Sequence, residues 1–344
     1  MSVPSIPLGT TDMSISRLGF GAWAVGGADW KFGWGPQDDA DSIATITALV
    51  ESGVNWIDTA PAYGLGHSEE VVGKALAALP EADRPLVFTK VGLVWPDDAD
   101  RTGFPRKVMR AGSVREEVHA SLRRLGVDRL DLLQVHWPGD GRLAGLEDDE
   151  PDPESDQYAT DLADYWQTMA DLKQEGLVRA IGLSNHDVDQ LATAEAIAHV
   201  DTLQPPYSLL HRDATAELEW CAAHGTGVIV YQPLHSGLLT GTFSKERVDA
   251  LPEADWRRGA PDFTDHLAEN LALVDALRPV AAAHDTSVSS IAIAWALAAR
   301  GVTGAIVGAR RPDQITTWLD AATITLTDDD FARITKALPS PKER

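Results

Sequence analysis

One pattern recurs eight times along the chain: a short apolar run, followed by a longer stretch whose apolar residues fall at helical spacing. A strand buried on both faces reads as continuously apolar and its crossover helix as amphipathic, so the pattern is that of βα units around a parallel sheet. The expected strands are RLGFGA (17 to 22), GVNWID (53 to 58), PLVFTK (85 to 90), LDLLQVH (130 to 136), VRAIGLS (178 to 184), DTLQP (201 to 205), GVIVYQ (227 to 232) and GAIVG (304 to 308). Eight such units in 344 residues describe a closed (β/α)8 TIM barrel better than an open doubly wound sheet. No Pro, Gly or Ser linker divides residues 1 to 344, so a single domain is expected.

Helices are expected at about 38 to 52, 68 to 79, 113 to 125, 158 to 176, 187 to 199, 214 to 224, 285 to 300 and 311 to 321. Ser113 with Glu116 has the spacing of a capping box, Ser68 and Asp187 are candidate N-caps, and Gly53, Gly126, Gly176, Gly225 and Gly301 fall where helices end. IPLG and MSIS, flanking TTD, are expected to pair as a short N-terminal β-hairpin at the barrel's base. Three connections are too long for bare turns: 92 to 112, 139 to 157 and roughly 233 to 265. Each comes after a strand, which assigns all three to the C-terminal face; the second reads as a solvated acidic loop.

Charge narrows the partners. With 29 basic and 52 acidic residues the net charge is −23, a surface that repels nucleic acid and anionic lipid. Cys221 is alone, which points to a reducing compartment. The opening MSVPSIPLGTTDMS lacks the basic start and apolar run of a secretory signal, and nowhere do 18 apolar residues run together. A cytoplasmic location without membrane association is expected.

The ends of the strands carry the chemistry. In order they present Gly21 with Trp23, Asp58, Lys90, His136, Ser184 with Asn185, Gln204, Tyr231 with Gln232, and Gly308 followed by Arg310 and Arg311. In a barrel these positions converge on one mouth. Tyr63 lies five positions beyond Asp58, on the turn of the same unit. A phenol is a reluctant proton carrier near neutrality, since its ordinary pKa is about 10. A neighbouring Lys90 ammonium, held by Asp58, is expected to lower that value, while His136 donates to a substrate carbonyl. These residue types make no metal set. They suit protonation of an oxygen as charge develops on it, which is half of a carbonyl reduction; a cofactor must carry the hydride.

Two places could hold a dinucleotide. GFGAWA (19 to 24) fits a loose Rossmann fingerprint, but VGGADWKFGWGPQ after it is no amphipathic helix, so no helix N-terminus would receive a pyrophosphate. The later strands serve better. Ser184, Asn185 and Gln204 can hydrogen-bond a carboxamide, Tyr231 can stack on its ring, and Gly308, Arg310 and Arg311 open the last expected helix beside a phosphate.

At these residues the chain resembles the aldo-keto reductases. The matching stretches, in order, are GVNWIDTAPAYGLGHSEEVVGKAL, LVFTKVG, LDLLQVHWP, VRAIGLSN, TLQPPYSLLHR, VYQPLHSGLLTG and AIVGARRPDQI. The resemblance implies a (β/α)8 barrel without a Rossmann domain, and a catalytic tetrad of Asp58, Tyr63, Lys90 and His136. It implies that Ser184, Asn185 and Gln204 hold the nicotinamide carboxamide and that Tyr231 stacks on the ring. Gln232, Pro233, Leu234, Gly237 and Leu238 would run along the pyrophosphate, Gly308, Arg310, Arg311 and Gln314 would surround the adenosine end, and Gly21, Trp23 and Asp58 would complete the cofactor wall. Trp23, Tyr63, Trp95, His136 and Trp137 would face the substrate, with Trp30 nearby.

Where relatives often close the adenine site with an acidic residue and Asn, this chain has Thr317 and Trp318. The arginine pair implies a 2'-phosphate, so NADP(H) is expected, with NAD(H) possible. The expected substrate is a small carbonyl compound, or a sugar or polyol. Two alternatives stand beside the reductase: a sugar or polyol dehydrogenase working mainly in oxidation, and a slow-turnover nucleotide-sensing module. Oligomeric state is not encoded in these motifs.

Overall fold

The computed structural model describes residues 3–28, 30–95, 103–146, 150–252 and 255–339. Parts of all three long connections, 96–102, 147–149 and 253–254, lie outside the described residues.

All eight expected strands form, each within a few residues of its expected span. They are β1 (Leu18–Gly21), β2 (Trp56–Asp58), β3 (Leu86–Val91), β4 (Leu130–Val135), β5 (Val178–Ser184), β6 (Thr202–Gln204), β7 (Gly227–Val230) and β8 (Val302–Val307). Each pairs in parallel with its neighbours in sequence, and β8 pairs with β1, so the sheet closes into a barrel. Helices α1 (Asp39–Glu51), α2 (His67–Ala78), α3 (Ala111–Leu125), α4 (Leu162–Gln174), α5 (Val188–Glu195) and α6 (Thr215–His224) succeed the first six strands, as the right-handed βα crossover requires.

Among the described residues, several elements depart from the expected pattern. A helix at Leu267–Ala283 (α7) precedes Val288–Leu297 (α8), and a further helix, Asp328–Ala337 (α9), comes after the barrel. α7 buries Leu273, Val274 and Leu277 and carries Pro279 within it, which blurs the helical signal. The segment expected as one helix at 311 to 321 is instead two 3-10 helices, Pro312–Thr317 and Leu319–Thr323.

Of the expected caps, Asp187 holds, accepting from Gln190 N while Gln190 reaches back to Asp187 N. The other two do not. α3 begins two residues before Ser113, with Arg110 at its cap, and Gly66 rather than Ser68 precedes α2. Ser68 turns inward instead, donating to Ala22 O at 2.9 Å.

Side-chain alternation stacks the barrel interior in layers. Trp56, Phe88, Leu132, Ala180, Ile229 and Ile306 form an apolar floor, closed from below by Leu8, Met13 and Ile15 of the N-terminal hairpin (Ser5–Pro7 paired with Ser14–Ser16). Two residues further along the same strands the inward positions become Asp58, Lys90 and Gln134, a polar layer above the floor. The glycines of the Rossmann-like stretch have their explanation here. A Cβ on Gly19 would collide with the Trp56 ring, so that glycine makes room for an indole inside the barrel. Between β1 and α1, among the described residues, the longest helix is the three-residue 3-10 helix Ala24–Gly26.

Candidate active site

Tyr63 does not sit on a strand. It opens a 3-10 turn, Tyr63–Gly66, that crosses the mouth after β2, and a close backbone contact sets its height: a Cβ on Gly64 would collide with Gly26 O. The loop after β1 and the loop after β2 therefore touch backbone to backbone, which only glycine allows, and Tyr63 Oη comes down onto the polar layer.

There Lys90 Nζ donates to Asp58 Oδ1 at 2.5 Å, to Tyr63 Oη at 3.1 Å and to Thr59 O at 3.1 Å. His136 stands edge-on to the phenol ring, centroids 5.9 Å apart. All four are almost inaccessible: Lys90 1%, Asp58 2%, Tyr63 6% and His136 7% exposed. Burial alone would lower the Lys90 pKa, but Asp58 and Tyr63 together outweigh it and hold the group above its ordinary value, as an ammonium. Burial, joined by the charge of Lys90, pushes His136 well below its ordinary value, leaving a neutral imidazole. Tyr63 reverses the expectation drawn from the sequence. Lys90 does pull its pKa down, but burial is the larger effect and the net shift is upward. The phenol is a protonated donor with an ammonium beside it rather than a standing phenolate.

Asp58 has a second set of partners, one of which sequence reasoning missed. Gln204 Nε2 donates to Asp58 Oδ2 at 2.9 Å and to Gln134 Oε1 at 3.2 Å, and Gln134 Nε2 reaches the same carboxylate oxygen at 3.3 Å. Gln134 lies two positions before His136 on β4, so strict alternation places it on the inward face.

The other carboxamide candidates form one polar network with each other. Asn185 Nδ2 donates to His136 O at 2.9 Å and to Ser184 Oγ at 3.1 Å, and Tyr231 Oη donates to Asn185 Oδ1 at 2.8 Å. Ser184 Oγ donates to Gln204 O at 2.8 Å. Asn185 adopts a left-handed backbone at φ 61°, a conformation that Asn tolerates and that turns its side chain over the end of β5.

Beyond β7 the backbone is left-handed at Gln232, His235, Ser236 and Gly237. Left-handed non-glycine residues cost energy and cluster at ligand clamps. The loop is braced by Arg257, which donates to both oxygens of Asp255, at 2.9 and 2.6 Å, and to Ser236 O at 3.1 Å. Trp34 lies under the Arg257 guanidinium at 4.9 Å. Trp34 Nε1 and His235 Nδ1 are two of the seven buried side-chain polar atoms that lack a hydrogen-bond partner among the described residues. Two partnerless groups beside a left-handed loop fit a polar ligand along that edge.

Arg310 is tied to the loop after β1: Nε donates to Gln37 Oε1 at 2.8 Å, and NH2 donates to Pro36 O. Burial first, then the charges of Arg257 and Arg311, hold the Arg310 pKa below the guanidinium range, so three arginines share one corner. Arg311 is exposed and pairs with Asp313 at 3.1 Å. The helix start expected to offer amides to a phosphate is already capped, because Gln314 Oε1 accepts from Arg310 N and Arg311 N. Trp318 faces the core and Thr317 is exposed. Gly308 is exposed at the end of β8.

Rings roof the mouth. Trp23 lies 5.0 Å from both Trp30 and Tyr63, Phe32 lies 5.7 Å from both Trp30 and Phe104, and Leu93 and Trp95 pack onto the group. Phe32 and Phe104 could not be picked out from the sequence, since nothing local marks an aromatic in a loop as a wall. Trp137 stands apart, its ring 5.6 Å from Lys107 Nζ.

The acidic connection is less free than its composition suggests. Residues 141–144 run antiparallel to 105–107, extending the Leu93–Val94/Arg106–Lys107 hairpin, and buried Arg106 binds Asp152 at 3.0 Å and Glu154 at 2.7 Å. Among the described residues no group of three or more His, Cys, Asp or Glu could hold a metal ion, and no helix is long and apolar enough to cross a membrane.

The closed parallel barrel thus gathers a buried phenol, ammonium, carboxylate and imidazole at its C-terminal mouth. Residues 17–339 match the aldo/keto reductase family. The chain is 34% identical over 336 residues to the NADH-specific methylglyoxal reductase of Escherichia coli, covering 94% of this chain and 95% of that protein. It is 35% identical over 325 residues to the aldo-keto reductase YhdN of Bacillus subtilis, covering 93% and 89%. The glycerol dehydrogenase of Gluconobacter oxydans superposes with a TM-score of 0.84 at 33% identity, covering 100% of this chain and 98% of that one. The chain belongs to the aldo/keto reductase family, whose members interconvert carbonyls and alcohols with a nicotinamide cofactor.

Proposed function

We propose that this chain, acting as a single domain, is an NADP(H)-dependent reductase of small carbonyl compounds in which Tyr63 exchanges the proton. The observation that carries the reading is the position of Lys90 Nζ between Asp58 Oδ1 and Tyr63 Oη, at 2.5 and 3.1 Å. Tyr63 hands its proton to the substrate oxygen as negative charge builds there. The ammonium then stabilises the phenolate that is left, and Asp58 keeps the ammonium charged and aimed. Neutral His136 donates one ring N–H to the same oxygen and so orients the carbonyl. In the reverse direction Tyr63 acts as the base. The bound nicotinamide supplies or accepts the hydride. Ser184, Asn185 and Gln204 would hold its carboxamide, Tyr231 its ring, and the Gln232 to Leu238 stretch its pyrophosphate. The roof of Trp23, Trp30, Phe32 and Trp95 excludes water from the proton transfer and favours substrates with an apolar or flat face.

The preference for NADP(H) rests on the corner of Arg257, Arg310 and Arg311, a concentration of cations that suits a phosphate in a chain of net charge −23. Similarity to a glycerol dehydrogenase and to an NADH-specific reductase favours a second reading, oxidation of a sugar or polyol with either dinucleotide. The test is Tyr63→Phe, assayed in both directions. Cofactor binding should persist by fluorescence titration while turnover falls by at least about a hundredfold. Retained turnover would remove the proposed donor.

A further inference from the structure

Two carboxylic groups lie behind the strand that carries Lys90. Glu69 of α2, fully buried, accepts from Thr89 Oγ1 at 2.6 Å and from Arg124 at 2.6 and 2.7 Å. Glu117 of α3 accepts from Gly92 N at 3.0 Å, with Ser113 Oγ 3.4 Å from its other oxygen. Thr89 immediately precedes Lys90, and Gly92 lies two residues beyond it, so the two acids bracket the lysine along the chain.

Gly92 is a constrained point. Its φ is 98°, and a Cβ there would collide with Met109 Sδ. The chain turns at this residue from β3, whose Lys90 points into the barrel, to Leu93 and Trp95, which pack on the aromatic roof. A second bond, from Val108 N to Gly92 O at 3.0 Å, fastens the other side of the turn.

Charge is unevenly shared between the acids. The Arg124 ion pair goes to Glu69, and among the described residues Glu117 pairs with no cation. The charges acting on it are Glu69 across the α2–α3 contact and Arg124 on its own helix. Burial, reinforced by Glu69, pushes the Glu117 pKa up to about 8 against the pull of Gly92 N–H, Ser113 and Arg124.

We propose that Glu117 is a positioning residue: through the Gly92 amide it sets the turn that holds Lys90 on one side and the Leu93–Trp95 wall on the other. The inference rests on the reading of Lys90 as part of the catalytic group. It also gives the turn a pH response, because Glu117 is a neutral acid below about pH 8 and a carboxylate facing Glu69 above it. That same raised pKa means the folded chain loses stability as pH climbs from the ordinary carboxyl range to about 8, since the unfolded chain releases this proton first.

The experiment uses the full chain with NADPH and whichever aldehyde of a small panel the wild type reduces fastest. E117A should lower kcat on the order of tenfold while leaving the NADPH Kd within about twofold, a misplacement effect rather than a binding one. E117Q keeps an oxygen for Gly92 N–H, so it should restore kcat, and its profile of kcat against pH should lack the wild-type inflection near 8. A folded E117A with wild-type kcat, or an E117Q profile that keeps the inflection, overturns the proposal. If E117A does not fold, the E117Q profile decides alone. Lys90→Met separates the two readings: an active K90M removes the catalytic reading itself, whereas a dead K90M beside unchanged Glu117 variants removes only this inference.

Discussion

Lys90 Nζ stands 3.1 Å from Tyr63 Oη and at the same time 2.5 Å from Asp58 Oδ1, in a layer sealed from water by the apolar floor below and the aromatic roof above. In so dry a place an ammonium persists only with a carboxylate partner, and it acts most strongly on the one oxygen that can become negative. Lys90→Met should therefore lower kcat by roughly a hundredfold or more, with the Kd for the dinucleotide changed by no more than a few-fold. Stopped-flow reduction together with fluorescence titration would check this; a kcat within tenfold of wild type would contradict it.

His136 is neutral because burial and Lys90 both oppose its protonation. The reductive kcat should then show no inflection near 6.5, the ordinary imidazole value. The same shift acts on stability. As pH falls through that value the unfolded chain gains a proton that the folded chain refuses, so the fold loses stability on the acid side. A kinetic limb near 6.5 that vanishes in His136→Gln would show the imidazole to be charged at work.

Arg257, Arg310 and Arg311 share the corner proposed for the adenosine phosphate. Changing Arg310 and Arg311 together to Ala should weaken NADPH on the order of tenfold more than NADH, because a guanidinium bond to a dianionic phosphate is the stronger kind. Arg257→Ala should weaken both, since Arg257 also braces Ser236 O. Equal weakening in the double variant would dismiss the phosphate assignment.

Arg106 is the clasp between the acidic connection and the hairpin beyond β3, through Asp152 and Glu154. Arg106→Met leaves buried Asp152 and exposed Glu154 without their cation, and breaking the buried Arg106–Asp152 pair costs about 3 kcal/mol. The loss should appear as easier protease cleavage within 139–157 and as a higher KM, with the dinucleotide Kd unchanged. An unaltered cleavage pattern and KM would mean that the loop is held by its backbone pairing alone.

The range of the forces involved decides which parts of the fold and site were legible in the chain. Strands buried on both faces must be apolar throughout, so the eight units could be counted, and a polar or ionisable residue closing most of the apolar runs marked the mouth. Asp187 was readable as an N-cap, and it caps α5 with Gln190 reaching back to complete a capping box. Other local signals misled. Ser113 has the right spacing, but α3 begins earlier, and Ser68 turns inward to Ala22 O because tertiary contact outweighs a cap.

The chain alone determined the barrel and the identity of the groups at its strand ends, because apolar periodicity and strand alternation are properties of neighbours in sequence. Tertiary structure alone decided what those groups are when they meet. It set the upward pKa of Tyr63, brought Gln134 and Gln204 to one carboxylate, and joined Arg257 to Arg310 and Phe32 to Phe104 across long stretches of chain. Desolvation and electrostatic contact depend on distance through space, and residues far apart in sequence acquire that distance only when the barrel closes.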